Sequence, residues 1–271
     1  MLIIAIGVPF CLKKGIEFAV AFVVLSNIIS ELTSTIVLLI FAPKNMHITK
    51  KDLKFDIENA KDILSISLPT TGSRLIGSIG YFLEPIIITQ VLLKVGYSNK
   101  FIITEYGVIN GYVMPLLLLP SFFTLAISNA LLPVVSNAYV KKKYTYIKSK
   151  IRQAILFSLL IGIPCTIIFI IKPEILLKFL YNSNKGIVYT KVLAPIFLLY
   201  YIQSPLTATL QAIGKSKCAM EGTLIGMILR TSSLFILSFL KIGMWPLVLA
   251  TSINIVYVTL HHIKYVKKYL R

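Results

Sequence analysis

Residues 153–171, QAILFSLLIGIPCTIIFII, form a continuous apolar run without a charged side chain. As an α-helix these residues would rise about 28 Å, close to the roughly 30 Å of hydrocarbon in a lipid bilayer. The run is therefore long enough to cross a membrane once, and it predicts the class of fold to which the chain belongs.

Six more apolar stretches are long enough to cross a bilayer as helices. They lie at 17–41, 63–93, 108–136, 187–212, 218–240 and 244–262. Hydrophobic residues make up 56% of the chain, more than the roughly 45–50% of ordinary globular proteins. The sequence therefore predicts an all-α polytopic membrane bundle with about seven full transmembrane helices. Residues 1–12 would rise only about 18 Å, so we expect a partial helix there.

The formal net charge of +18 is better explained by membrane topology than by nucleic-acid binding. The Lys and Arg residues lie between the apolar runs, and no soluble domain remains to carry a nucleic-acid surface. Seventeen of them fall in the connections 42–62, 137–152 and 213–217 and in the tail, against at most nine in the alternate connections. The positive-inside rule then predicts a multi-pass protein of the cytoplasmic membrane with a cytosolic C-terminus.

Four ionisable side chains lie inside the predicted spans, where each needs a partner or water. They are Glu31, Arg74, Glu84 and Arg230. Arg74 and Glu84 are about 15 Å apart along one straight helix, so they cannot pair with each other. Two alternatives remain for the arginines. Each forms a buried ion pair with a carboxylate on a neighbouring helix, or both line an aqueous cavity that attracts an anionic substrate.

Small and polar residues recur at three- and four-residue steps around these charges, which places them on helix stripes. The predicted cavity residues are Arg74, Glu84, Arg230, Ser73, Ser78, Tyr81, Gln203 and Glu31. For the small residues there is a second explanation, close helix packing, with Gly222 and Gly226 as a GxxxG contact. No nucleophile–base pair or metal cluster is evident, so we expect neither an enzyme nor a cofactor or metal site.

Three segments resemble a known family. They are SRLIGSIGYFLEP at 73–85, MPLLLLPSFFTLAISNALLPVVSNAYVKK at 114–142 and QAIGKSK at 211–217. They resemble the stage V sporulation protein B branch of the polysaccharide-export group, alongside MurJ- and Wzx-type flippases of the MOP superfamily. The resemblance covers nearly the whole chain. It implies two six-helix lobes around a central cavity that moves lipid-linked saccharide precursors across the cytoplasmic membrane. Arg74 and Glu84 lie in the first of the resembling segments. The prediction that Arg230 is a cavity residue rests on physical argument alone.

The resemblance also implies a division of the chain. Residues 1–41 correspond to a remnant of the first lobe, 42–62 to a cytoplasmic inter-lobe loop, and 63–271 to the second six-helix lobe with its basic tail. Most of the first lobe is absent, so we expect an N-terminally truncated chain. The expected partners are the lipid bilayer, a lipid-linked oligosaccharide and a first lobe supplied by another chain.

Two other functions stay open from the sequence. One is an ion-coupled multidrug exporter of the same superfamily, in which Glu31 or Glu84 would carry the coupling ion. The other is a membrane fragment that transports nothing. Two cavity arginines would repel cationic drugs, so the sequence favours the flippase, with sporulation as its expected setting.

Overall fold

The computed structural model describes residues 2–12, 14–41 and 57–270, and all regular structure in these ranges is helical. The chain divides into two units, Met1–Ile57 and Glu58–Arg271. The all-α polytopic prediction is therefore confirmed. Of the predicted 42–62 loop, residues 42–56 lie outside the described ranges, and residues 57–62 already belong to a helix.

The described residues of the first unit form α1 (Leu2–Leu12) and α2 (Ile16–Ile40), which pack on each other. Its eleven residues give α1 a rise of about 16 Å, which is too short to cross the hydrocarbon. The partial helix predicted at the start is confirmed. Residues 16–37 of α2 are long and apolar enough to span a membrane, in agreement with the predicted stretch at 17–41.

The second unit contains the remaining helices. They are α3 (Ile57–Val95), α4 (Asn99–Val108), a π-helical turn (Ile109–Val113), α5 (Met114–Leu118), α6 (Ser121–Val140), α7 (Tyr144–Ile171), α8 (Pro173–Tyr181), α9 (Ile187–Ala212), α10 (Ser216–Leu237), a 3₁₀ turn (Ser238–Leu240) and α11 (Trp245–Tyr269). Helix α9 lies at the centre of the unit and packs on α6, α7 and α11.

The segment from α4 to α6 differs from the single span predicted at 108–136. Asn99–Leu118 and Ser121–Val140 each have the length and hydropathy of a membrane span, which brings the described segments of this kind to eight. Leu119 and Pro120 between them keep right-handed helical backbone angles, however, so the chain does not reverse direction there. The two stretches therefore form one long bent helix, so the eight described segments correspond to seven membrane-length helices.

The bend has a local cause in the sequence. Pro115 and Pro120 have no backbone N–H to donate and interrupt the regular hydrogen-bond ladder. The preceding π-helical turn, Ile109–Val113, adds a wider turn of backbone. The sequence placed the start of the helix about nine residues too late, because Asn99, Lys100 and Glu105 made residues 94–107 resemble a polar connection.

Two buried apolar clusters lie at the two ends of the second unit. One is built around Leu131, Ile147, Leu210 and Leu270 and lies beside the turns at 141–143 and 213–215 and the end of α11. We call this end the basic end, because Lys141–Lys143, Lys215, Lys217 and Lys264–Lys268 surround it. The other cluster contains Ile102, Leu177, Leu193 and Leu247 at the opposite end.

The GxxxG explanation of Gly222 and Gly226 is confirmed by their surroundings. A Cβ atom on Gly226 would lie 2.4 Å from Val258 Cγ2, and one on Gly222 would lie 2.6 Å from His261 Nδ1. These glycines therefore allow α10 to approach α11 closely, as small residues do between membrane helices.

Candidate functional site

A polar cavity of about 340 Å³ lies between α3, α6, α9 and α11. We call it the Arg74 cavity. Its polar lining consists of Thr70, Ser73, Arg74, Ser128, Asn129, Tyr200, Gln203, Ser204, Thr207, Gln211, Thr223 and His262. Of the predicted site residues, Ser73, Arg74 and Gln203 meet here, although Arg74 and Gln203 are 129 positions apart in sequence.

The guanidinium group of Arg74 is the fixed positive charge of this cavity. The Arg74 side chain is exposed. Within 2–12, 14–41 and 57–270 the structure contains one side-chain ion pair, and Arg74 is not part of it. A guanidinium group offers five N–H donors in a planar fork that matches phosphate oxygens. Arg74 is therefore available to an anionic ligand.

A wider cleft of about 750 Å³ is continuous with the Arg74 cavity, since both are lined by Thr70, Arg74, Leu132 and Gln211. The cleft extends along α3 and α6 to Tyr139, Val140 and Gly214, which lie at the basic end. Arg74 thus lies where the inner cavity joins an opening toward the basic end.

His262 closes the wall of the cavity formed by α11, and the sequence did not predict it. Its imidazole is 1% exposed. His262 Nδ1 is 3.1 Å from the Thr207 hydroxyl, and His262 Nε2 is 3.5 Å from the Ala219 carbonyl oxygen. The signal that could have identified it is the helical register of α11, because Ile255, Val258 and His262 fall on one buried face.

Gln203 is the cavity residue with unused hydrogen-bonding capacity. Its Oε1 is buried and has no protein hydrogen-bond partner within the described ranges. An unpaired buried acceptor is unfavourable unless water or a ligand donates to it. The position of Gln203 in the lining therefore fits a cavity that holds polar molecules.

Glu84 and Arg230 form a buried ion pair that joins α3 to α10. The two side chains are 2% and 5% exposed. Tyr106 donates its hydroxyl proton to Glu84 Oε1 at 3.1 Å, and the Arg230 guanidinium lies 4.9 Å from the centre of the Tyr81 ring. Of the two alternatives from the sequence, the ion pair is the one observed for Arg230. The two predicted cavity arginines are not brought together.

The other predicted residues lie outside the Arg74 cavity. Ser78 is exposed on α3 and donates its hydroxyl hydrogen bond to the Arg74 carbonyl oxygen at 3.0 Å. Tyr81 is exposed apart from its contact with Arg230. Glu31 is exposed on α2, which belongs to the first unit.

The arrangement of Arg74 among neutral polar groups can bind an anion. In the part of the chain that the structure describes, no group of three or more His, Cys, Asp or Glu side chains is placed to hold a metal ion. The cavity combines one cation with hydroxyl and amide groups, which suits a polar ligand that carries negative charge.

Two family models match the sequence. The model described as polysaccharide biosynthesis protein matches residues 1–139, and the model described as MatE matches residues 109–236. The chain is also 38% identical over 275 aligned positions to stage V sporulation protein B of Bacillus subtilis (strain 168), covering 99% of this chain and 53% of that protein. It is 24% identical to sporulation protein YkvU of the same organism, covering 84% and 50%. The chain thus spans about half the length of these curated relatives.

The fold is similar to solved MATE structures. A MATE protein in the bent conformation superimposes with a TM-score of 0.73 at 18% identity, covering 96% of this chain and 56% of that one. A MOP superfamily transporter from Pyrococcus furiosus Vc1 (DSM3638), described as having a binding pocket of reverse polarity, gives a TM-score of 0.66 at 19% identity, covering 96% and 57%. At such identities the similarity concerns the fold alone.

Proposed function

The chain belongs to the polysaccharide biosynthesis protein family of the MOP superfamily, and from this premise we propose that it helps to move a lipid-linked saccharide precursor across the cell membrane. The family and the apolar helices make it a multi-pass membrane protein of a transporter superfamily. The saccharide cargo and a role in sporulation are parts of the proposal. The names of the family and of the two Bacillus relatives support them.

The observation that carries the proposal is the unpaired guanidinium of Arg74 in a polar cavity. Lipid carriers of saccharides hold their sugar through phosphate or pyrophosphate, which is anionic. Arginine binds such oxygens through two parallel N–H···O bonds. Gln203, Thr207 and Ser204 add neutral hydrogen-bonding groups suited to sugar hydroxyls.

The cleft toward the basic end supplies the proposed entry route. Positive residues concentrate on the cytosolic side of membrane proteins, so this end is proposed to face the cytosol, where precursors are made. Transport by alternating access needs one bundle to move against another. Because the chain spans half of its relatives, the proposal includes a first lobe that works with this one.

Substitution of Arg74 tests the proposed binding site. We expect Arg74→Ala to weaken the binding of undecaprenyl pyrophosphate to the purified protein by about 10- to 100-fold, since a hydrogen bond to a charged group contributes about 1.5–3 kcal/mol. Arg74→Lys should retain part of the affinity, because it keeps the charge and loses the bidentate geometry. Affinity is measured by titration in detergent micelles.

Lys94→Ala is the matched control, because Lys94 is an exposed cation on the same helix, near its other end. It should bind like the wild type. Unchanged affinity in Arg74→Ala, or an equal loss in both variants, contradicts the proposed role of Arg74.

The multidrug alternative is less well supported by the geometry. Of the two carboxylates expected to carry the coupling ion, Glu84 is held by Arg230, Tyr106 and Asn110. Glu31 is exposed on α2 and is not among the residues that line the Arg74 cavity. The Arg74 charge would also repel cationic drugs. The measurement is the cellular level of a cationic dye. A level that falls when this protein is present, and only while an ion gradient is maintained, would favour the exporter over the flippase.

A further inference from the structure

A second cavity, of about 420 Å³, opens on the surface of the second unit between α7 and α11 and shares no lining residue with the Arg74 cavity. We call it the α7–α11 groove. Its apolar part is formed by Ile151, Ile155, Leu156, Val266 and Leu270. Its remaining lining residues are the three cations Lys148, Arg152 and Lys267. The groove is therefore amphiphilic, with an apolar floor and a cationic rim.

The groove lies where a bilayer changes from hydrocarbon to headgroups. Helix α7 has 28 residues, so its rise of about 42 Å exceeds the roughly 30 Å of hydrocarbon. The charge-free run of this helix begins at Gln153, which leaves Lys148 and Arg152 in the headgroup layer. Ile155 and Leu156 come next in the chain and lie at the start of the hydrocarbon.

Within 2–12, 14–41 and 57–270, the rim cations have no protein partner. None of the eight lining residues is acidic. Among the described residues, the side chains of Lys148, Arg152 and Lys267 form no ion pair, and all three are exposed. Neighbouring lysines differ, since Lys150 donates to Gln153 Oε1 at 3.0 Å and Lys268 lies over the rings of Tyr265 and Tyr269. No described residue supplies a counter-charge to the groove.

We propose that the α7–α11 groove binds one anionic phospholipid of the surrounding membrane. Its phosphate pairs with Lys148, Arg152 and Lys267, and part of an acyl chain covers the apolar floor. Basic pockets between transmembrane helices on the cytosolic side suit such headgroups. A soluble anion or an acidic peptide satisfies the rim and leaves the apolar floor uncovered, so a lipid is the occupant that fits both parts.

Quenching of a single tryptophan by brominated lipids tests this proposal. The reporter is Leu160→Trp, one helical turn beyond Leu156 on the lipid-exposed side of α7, in a Trp245→Phe background that removes the natural tryptophan. The protein is placed in phosphatidylcholine nanodiscs with a minor fraction of brominated phosphatidylglycerol. A parallel sample contains the same fraction of brominated phosphatidylcholine.

We expect stronger quenching by brominated phosphatidylglycerol than by brominated phosphatidylcholine. The triple variant K148Q/R152Q/K267Q should lose this excess, since each neutralised cation weakens the interaction roughly fivefold. All three positions are exposed, so the fold is retained. The matched control K141Q/K143Q/K217Q removes three exposed cations from the same end and should keep the excess.

The proposal is overturned if the two lipids quench equally in the parent protein, or if the groove variant keeps the excess. It is also overturned if both triple variants lose the excess equally, because the attraction then comes from the general charge of the basic end. The proposal is supported if phosphatidylglycerol quenches more than phosphatidylcholine only when the groove cations are present.

Discussion

Arg74 and Arg230 lie in opposite electrostatic surroundings although both belong to membrane helices. Arg74 is exposed to a polar cavity, whereas Arg230 is buried against Glu84. A buried pair compensates the cost of removing both charges from water only while both partners are present. The first arginine is therefore free to bind a ligand, and the second holds α3 and α10 together.

Removal of one partner of the buried pair should destabilise the protein strongly. We expect Arg230→Met or Glu84→Leu to lower the free energy of unfolding by about 3–5 kcal/mol, because each leaves an unpaired charge in an apolar environment. The double variant should be close to the wild type. Denaturant titration in detergent micelles measures all four proteins as a double-mutant cycle. Additive losses in the double variant would rule out a coupled pair.

At the scale of elements, the approach of α10 to α11 depends on glycine. Gly226→Ala places a methyl group 2.4 Å from Val258 Cγ2 and 2.6 Å from Asn254 Oδ1. We expect a loss of about 1–3 kcal/mol in unfolding free energy, as overpacking usually causes. The same denaturant titration measures it.

Gly77→Ala is the control, because a Cβ atom at that position meets no other atom within 4 Å. Its stability should equal that of the wild type or rise by up to about 1 kcal/mol, because Ala favours the helix interior over Gly. Equal stabilities of the Gly226 and Gly77 variants would contradict close packing between α10 and α11.

The elements also show what the sequence could predict. Apolar run length located the helices well, since a span must cover the hydrocarbon whatever its neighbours are. Arg74, Glu84 and Arg230 were predicted as site residues because they are charged and lie inside predicted spans. The sequence left the ion pair of Arg230 open as one of two alternatives, because the pair with Glu84 joins positions 146 residues apart and depends on how α3 lies against α10. His262 was missed because its neighbours in sequence are basic and resemble an exposed tail.

At the scale of the whole molecule, the single bent helix from Asn99 to Val140 determines the topology. With one crossing there, the turn after Val95 and the turn at Lys141–Lys143 lie on opposite sides of the membrane. With two crossings, these two turns would lie on the same side. The sides of the two turns therefore test whether the segment between them is a single bent helix.

Reporter insertions can measure this topology. We expect a fluorescent or phosphatase reporter after Lys142 and another at the C-terminus to report the cytosolic side. A reporter in the turn after Val95 should report the outer side. If the turns after Val95 and Val140 lie on the same side, the segment between them crosses twice and the single bent helix is wrong.

The proposed function requires above all that water reaches Arg74 from the basic end of the membrane-embedded protein. The direct measurement is labelling of Arg74→Cys by a membrane-impermeant maleimide, after replacement of Cys11, Cys165 and Cys218 by alanine. Leu160→Cys on the lipid-exposed side of α7 serves as the unreactive control. We predict labelling of position 74 in inside-out vesicles and none at position 160. A position 74 that stays unlabelled from both sides, or reacts only from the outer side, would contradict the account.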